Sequence, residues 1–123
     1  MKKSFGILPS GEEAFIYTIQ NQNITAALTD FGATLVSLWV PDKSGCVADV
    51  VLGYQSAMDY AKDNSCMGAV VGRNANRIAG AEISLNDKVY ALVANDGENS
   101  LHSLPHGYSH RLWQVAEHQA DRI

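Results

Sequence analysis

Two short segments of the sequence combine side chains that could bind and transform a polar small molecule. The first reads GRNANRIAGA from Gly72 to Ala81, and the second reads NSLH from Asn99 to His102. Guanidinium and carboxamide groups present several hydrogen-bond donors in fixed planes, which suits recognition of a molecule with many hydroxyls. An imidazole can give or take a proton near neutral pH. Together the two segments predict a site that binds a polyol and moves protons.

The first segment carries two arginines whose roles the sequence leaves open. Arg73 and Arg77 are four residues apart, with Asn74 and Asn76 between them. In a strand the two arginines would share one face, whereas in a turn no such rule holds. One of them could instead make a surface ion pair, and the other could anchor the polar segment that follows.

Three histidines recur every four residues, at His102, His106 and His110. On a helix this spacing would align three imidazoles as metal ligands. Pro105 and Gly107 interrupt any such helix, and no cysteine or carboxylate at ligand spacing completes a tetrahedral set. We therefore expect no metal site.

Two tryptophans and two cysteines favour structural roles. Trp39 and Trp113 could stack on the face of a sugar, but both lie in strand-like sequence, so core packing is the stronger expectation. Cys46 and Cys66 lie in unrelated contexts without CxxC spacing. This pattern predicts two reduced thiols rather than a disulfide.

Composition limits the class of protein and its partners. The chain has 123 residues, 46% of them apolar and 18% charged, which predicts one soluble globular domain over residues 1–123. A formal charge of −4 provides no basic surface, so neither nucleic acid nor a membrane is expected as the main partner. The absence of a signal-peptide pattern and of a membrane-length apolar run favours a cytoplasmic protein.

Strands must position the two segments, because short apolar runs alternate with turn residues along the chain. The runs predict a hairpin formed by Ala14 to Gln20 and Ile24 to Thr29, and a central strand from Leu35 to Val40. Further strands are predicted from Gly68 to Gly72 and from Leu112 to Ala116. The architecture is therefore all-β, either a sandwich or an incomplete part of one.

Three local features complete the expected arrangement. Glu82 to Leu85 and Lys88 to Leu92 predict a hairpin with Asn86 and Asp87 as its two-residue loop. One short helix is predicted from Ser56 to Asp63, with a capping box between Ser56 and Asp59. The polar segment from Ala94 to Tyr108 is too long for a mere connection, so we expect it to be functional.

The chain resembles the aldose 1-epimerase family, the galactose mutarotases, over nearly all of its length. The resemblance rests on a series of segments in the order that the family uses. They are TDFGATLVSL (Thr29–Leu38), PDKSG (Pro41–Gly45), ADVVLGY (Ala48–Tyr54), Tyr60, GRNANRIAGA (Gly72–Ala81) and NSLH (Asn99–His102). It implies an antiparallel β-sandwich of the galactose mutarotase type, a supersandwich, of which this chain would be an N-terminal portion.

The resemblance also implies a reaction, the interconversion of the α and β anomers of a free aldohexose such as galactose or glucose. In such enzymes a carboxylate base takes the proton of the anomeric hydroxyl and a histidine acid protonates the ring oxygen, without metal or cofactor. Asn76 and Arg77 match the family's sugar-binding pair, and His102 matches its first active-site histidine. Ser103 and Leu104 replace two glycines that usually follow this histidine, and their side chains could narrow the sugar pocket.

Length separates this chain from the enzymes that it resembles. Those enzymes are much longer, and the resemblance implies that the histidine acid and the glutamate base lie outside the present residues. Asp96 and Glu98 share the polar segment with His102 but have no counterpart in the family's base. We therefore expect the isolated chain to be catalytically inactive.

Two other readings stay open, a non-catalytic carbohydrate-binding module and a structural fragment. An incomplete sandwich exposes an apolar face and unpaired strands, so self-association through sheet edges is also expected.

Overall fold

A computed structural model describes residues 1–123, and its largest element is a five-stranded antiparallel sheet. The strands lie in chain order: β1 (Lys2–Ile7), β2 (Glu13–Asn21), β3 (Ile24–Thr29), β4 (Thr34–Pro41) and β5 (Val47–Asp49). The predicted β2–β3 hairpin is confirmed, and β4 lies inside the sheet between β3 and β5. Strand β1 was not predicted, because its polar residues give an edge strand little apolar pattern.

Four shorter strands form two small antiparallel sheets. Strand β6 (Arg77–Ile78) pairs with β9 (Ser100–Leu101), and β7 (Glu82–Leu85) pairs with β8 (Lys88–Ala91). Asn86 and Asp87 join β7 to β8 with φ angles of 51° and 58°, the positive values that a two-residue hairpin loop of this kind requires. The predicted hairpin is therefore confirmed.

The single α-helix, α1 (Ala57–Lys62), begins at the predicted cap. The Asp59 backbone N–H donates to Ser56 Oγ at 3.3 Å, and the Ser56 hydroxyl donates to the Asp59 carboxylate at 2.7 Å. The bond from the Asp59 N–H satisfies a backbone donor that the first turn of a helix otherwise leaves unpaired.

Two predicted strands are wrong. Residues from Gly68 to Gly72 form turns and irregular backbone, and in the segment from Leu112 to Ala116 only Leu112 pairs, in an isolated bridge with Phe31. Both segments have apolar sequence, but both bond to the connection between β3 and β4: the Val70 N–H donates to the Gly32 carbonyl at 2.9 Å and the Trp113 N–H to the Asp30 carbonyl at 2.8 Å. Gly68 also meets β4 at one point, where its carbonyl accepts from the Leu35 N–H at 2.9 Å. A connection offers too few backbone groups to build a ladder.

That connection runs from Asp30 to Ala33, between β3 and β4. The Gly32 carbonyl accepts from the Val70 N–H at 2.9 Å, and the Gly32 N–H donates to the Arg111 carbonyl at 2.8 Å. Gly32 has φ of +70°, and a Cβ there would lie 2.5 Å from the Ser109 carbonyl oxygen. The close approach of these three segments therefore requires glycine.

The core lies between the sheet and α1. Its buried members are Leu8, Ala14, Phe31, Ala57 and Tyr60. The Tyr60 hydroxyl accepts a hydrogen bond from the Tyr54 N–H at 3.1 Å, and burial raises the pKa of Tyr60. With 18 of 123 residues buried, this core is small for the length of the chain.

Three further features bear on the sequence predictions. Trp113 is 39% exposed and its indole N–H donates to the Tyr108 carbonyl, so the expected core packing is wrong for this residue. Cys46 and Cys66 are both free thiols, as predicted. None of the helices has the length and apolar character needed to cross a membrane.

Candidate functional site

The pairing of β6 with β9 brings the two chemically rich segments together. Arg77 lies opposite Leu101 and Ile78 lies opposite Ser100. As a result Asn76 and His102, which are 26 residues apart in the chain, become neighbours. The sequence predicted both segments as functional, and the structure places them side by side.

Asn76 and His102 exchange two hydrogen bonds. The His102 backbone N–H donates to the Asn76 carbonyl at 3.1 Å, and the Asn76 N–H donates to His102 Nδ1 at 3.0 Å. Because Nδ1 accepts, the neutral imidazole carries its proton on Nε2. Nε2 has no partner in the protein, so it is available to donate a hydrogen bond to a ligand.

Arg77 is held by a carboxylate of the polar segment. Its Nε donates to Asp96 Oδ2 at 2.6 Å, and the two side chains are 57% and 36% exposed. The two terminal nitrogens of Arg77 make no hydrogen bond with the protein, nor does the side chain of Asn76. These groups and His102 Nε2 provide donors of the kind that bind hydroxyl oxygens.

Two asparagines build the loop: Asn95, which the sequence did not single out, and Asn99 of the NSLH segment. Asn95 donates from Nδ2 to the Leu101 and Leu104 carbonyls at 2.8 Å, and its Oδ1 accepts from the Leu101 N–H at 2.6 Å. Asn99 Oδ1 accepts from the Gly80 N–H at 3.2 Å. Asparagine side chains often bond to loop backbone, and that tendency was the available signal.

The side chain of Ser103 forms hydrogen bonds within the protein, and Leu104 is buried. Ser103 Oγ accepts from the Asn74 N–H at 2.9 Å and donates to the Asn74 carbonyl at 3.0 Å, while Leu104 is only 8% exposed. Gly107 also lies close, because a Cβ there would be 2.8 Å from the carbonyl oxygens of Gly72 and His102. The segment around His102 is therefore joined to the arginine segment at several points.

Arg73 lies apart from Arg77. Its guanidinium carbon is 5.7 Å from the centre of the Tyr108 ring, in a cation–π arrangement, and a bend at Arg73 and Asn74 precedes β6. The two arginines thus do not share a strand. Arg73 contacts the far end of the polar segment, which corresponds to the anchoring role left open by the sequence.

The histidines with a spacing of four do not gather around a common point. The structure contains no group of three or more His, Cys, Asp or Glu side chains arranged to hold a metal ion. His102 lies in a turn, and His110 ends a 3₁₀ turn that spans Tyr108–His110.

A cavity lies next to the site, with a volume of about 390 Å³. Polar groups of Asn74, Ser100 and Ser103 line it together with Leu104 and the chain around Leu92. Asn76, Arg77 and His102 are not among the residues that line it.

Comparison with known proteins identifies relatives along most of the chain. The sequence model of the aldose 1-epimerase family matches residues 16–123. Galactose mutarotase from Sus scrofa is 39% identical over 110 residues, which cover 89% of this chain and 32% of that protein. Aldose 1-epimerase from Escherichia coli K12 is 34% identical over 117 residues, which cover 94% of this chain and 34% of that protein.

Solved structures show the same relationship in three dimensions. An aldose epimerase homologue from C. elegans superposes with a TM-score of 0.82 at 38% identity, covering 87% of this chain and 33% of that one. The galactose 1-epimerase from Lactobacillus acidophilus NCFM, at 23% identity and a TM-score of 0.76, shares the fold. The expected all-β fold of the galactose mutarotase type is confirmed, and the chain spans about a third of the length of the relatives it matches.

Proposed function

This chain belongs to the aldose 1-epimerase family, and on that premise we propose that it forms part of a sugar site that interconverts the α and β anomers of a free aldohexose. Galactose and glucose are the proposed substrates. Asn76 and Arg77 bind sugar hydroxyls, and His102 contacts the reacting part of the sugar. The observation that carries the proposal is the reciprocal hydrogen bonding of Asn76 and His102, which supports a ligand-facing donor at Nε2.

The reaction requires removal of a proton from the anomeric hydroxyl and delivery of a proton to the ring oxygen. Asp96 already accepts from Arg77, and Glu98 forms no ion pair with His102. Neither carboxylate is therefore our candidate for the base. We propose that residues 1–123 fold as one unit, bind sugar weakly on their own, and acquire activity only when further strands of the family fold supply the missing acid and base.

A sugar titration tests the binding half of this proposal. Adding galactose, and separately glucose, to the isotope-labelled chain should shift the side-chain NMR signals of Asn76, Arg77 and His102. Galactitol, which keeps the configuration of the galactose carbons but has no ring and no anomeric centre, provides the matched ligand control. Unchanged signals at saturating concentrations of both sugars would refute a sugar site at these residues.

A chimera tests the catalytic half. Replacing the matching segment of the Sus scrofa galactose mutarotase with this chain should give an enzyme that accelerates mutarotation of α-galactose in polarimetry. In that chimera His102→Gln should lower kcat by roughly 10²–10³-fold, the usual cost of removing one hydrogen-bond donor that stabilises charge developing in the transition state. The isolated chain should give the buffer rate.

Three outcomes oppose this reading. A folded chimera without activity, or one indifferent to His102→Gln, would contradict the catalytic proposal. A rate proportional to the concentration of the isolated chain would contradict the claim that acid and base lie elsewhere. Saturable sugar binding by the isolated chain beside a folded but inactive chimera would favour a non-catalytic carbohydrate-binding module.

A further inference from the structure

Arg77 and Asp96 form an ion pair at the surface, beside the proposed site. Nε of Arg77 lies 2.6 Å from Asp96 Oδ2, short even for a charge-assisted hydrogen bond. Both side chains are partly exposed, so solvent screens the pair and its contribution to folding stability is small. The contact is better explained by what it does to the direction of the guanidinium.

Both partners stand on backbone that is fixed by hydrogen bonds. Arg77 is paired with Leu101 across the β6–β9 sheet. Asp96 lies in a tight turn, in which the Asn99 carbonyl accepts from the Asp96 N–H and the Asp96 carbonyl accepts from the Asn99 N–H, each at 3.1 Å. A side-chain contact between two fixed backbones limits the rotamers of the longer partner, here the arginine.

The contact leaves the two terminal nitrogens of the Arg77 guanidinium free. Asp96 engages Nε, whereas both terminal nitrogens have no partner in the protein. The carboxylate also offsets the charge of the guanidinium, which suits a neutral ligand such as a sugar. An unrestrained arginine would lose rotamer freedom on binding, and that loss weakens affinity.

From this arrangement we propose that Asp96 is a positioning residue, which orients the Arg77 guanidinium so that its terminal nitrogens meet the hydroxyls of the ligand. Only the identity of the ligand rests on the proposed function. The orientation of Arg77 by Asp96 concerns the free protein, and it can be measured without any sugar.

The experiment follows the Nε–Hε signal of Arg77 by NMR in the 123-residue chain. In the wild type this signal should be shifted downfield and protected from exchange with water. Asp96→Ala should remove the protection, whereas Asp96→Asn and Asp96→Glu, which keep an acceptor oxygen, should each retain part of it. Glu98→Gln is the matched control, because it removes a carboxylate from the same turn without touching Arg77. Thermal unfolding should be nearly unchanged in all four variants.

Galactose binding then tests whether the orientation of Arg77 affects its affinity for a ligand. Asp96→Ala should weaken galactose binding about three- to tenfold, the scale expected for one unrestrained long side chain, whereas Glu98→Gln should bind like the wild type. An Arg77 signal that is the same in wild type and Asp96 variants would overturn the proposal. So would lost protection with unchanged galactose affinity.

The same data separate this proposal from the proposed function. If the wild-type chain binds neither galactose nor glucose, the sugar site is refuted. A loss of Arg77 protection in the Asp96 variants would still support orientation of Arg77 by Asp96.

Discussion

His102 is the residue whose chemistry depends most on one hydrogen bond. The Asn76 N–H donates to Nδ1 at 3.0 Å, and only the Nε2–H tautomer of a neutral ring can accept there. The local backbone supports this contact, since Asn76 and His102 both have φ of 57°. In this tautomer the Nε2–H of His102 is a donor without a partner in the protein.

This geometry predicts the tautomer of His102. Long-range ¹H–¹⁵N NMR at a pH where the ring is neutral should show the proton on Nε2. His106 is exposed and its ring makes no hydrogen bond in the protein, so its signals should report a mixture of tautomers. A dominant Nδ1–H form of His102 would contradict the contact with Asn76.

Ser103 provides a second prediction at the scale of a residue. It has φ of 59°, a conformation that costs a non-glycine residue about 1 kcal/mol, yet its hydroxyl makes two hydrogen bonds with the Asn74 backbone. Ser103→Ala should destabilise the chain by about 2 kcal/mol, because both bonds are lost and the strain stays. Ser103→Gly should cost about 1 kcal/mol less, because the strain is relieved.

Urea unfolding measures both changes. Ser44→Ala is the control, since Ser44 is exposed and its hydroxyl has no partner. Equal stability of the Ala and Gly variants would show that the positive φ carries no cost.

At the scale of elements, Asp30 in the connection between β3 and β4 forms hydrogen bonds with strand β2. This carboxylate is 8% exposed, accepts from the Phe15 N–H at 2.8 Å and from the Tyr17 hydroxyl at 3.4 Å. Burial raises the pKa of Asp30 above its usual value of 3.8, although the hydrogen bonds and Lys2 act in the opposite direction. The folded protein therefore binds this proton more tightly than the unfolded chain.

The raised pKa of Asp30 determines how its contribution to stability changes with pH. The contribution of Asp30 is fully present below 3.8 and is lost as the pH rises through the raised pKa of the folded state. Asp30→Asn keeps the shape and has no proton to lose. The free energy of unfolding of the wild type minus that of Asp30→Asn should therefore fall as the pH rises from 3.8 through the raised pKa of the folded state. A flat or rising difference would show that burial does not dominate at Asp30.

For the whole molecule, the solvent-accessible surface area is larger than expected for a folded monomer of this mass. A folded monomer of 13.3 kDa exposes about 6,450 Å² on average, whereas this chain exposes 8040 Å². The surplus of about 1,600 Å² on this one chain is about twice the ~800 Å² that each partner buries in a standard protein interface. One edge of the five-stranded sheet is protected by Lys2, Lys3 and a bulge between Ser4 and Gly6. The other edge, β5, is followed by exposed Val50 and Leu52.

This distribution predicts self-association near β5. Val50 is 60% exposed, and its N–H continues the pairing of β5 by donating to the Leu38 carbonyl at 3.0 Å. Val50→Lys should weaken association in analytical ultracentrifugation by roughly fivefold, the equivalent of about 1 kcal/mol of lost apolar burial. Ser44→Lys adds the same charge nearby and should have little effect. Equal weakening by both variants would indicate a general effect of charge instead.

The sequence by itself determined the features that depend on a few neighbouring residues. The β2–β3 hairpin, the loop at Asn86 and Asp87 and the cap at Ser56 follow from patterns within about ten residues, where propensity and turn chemistry act directly. The series of family motifs likewise identified the fold and the segments around Arg77 and His102. Each of these inferences uses only local order along the chain.

Only the tertiary structure decided how those segments meet. Arg77 and Asp96 are 19 residues apart, and Ser103 and Asn74 are 29 apart, so no local pattern links them. The apolar segment after Leu112 also has strand-like sequence, yet it meets a short connection and forms no ladder. Whether an apolar run becomes a strand, or a carboxylate holds an arginine, depends on which partner the folded backbone places within hydrogen-bonding distance.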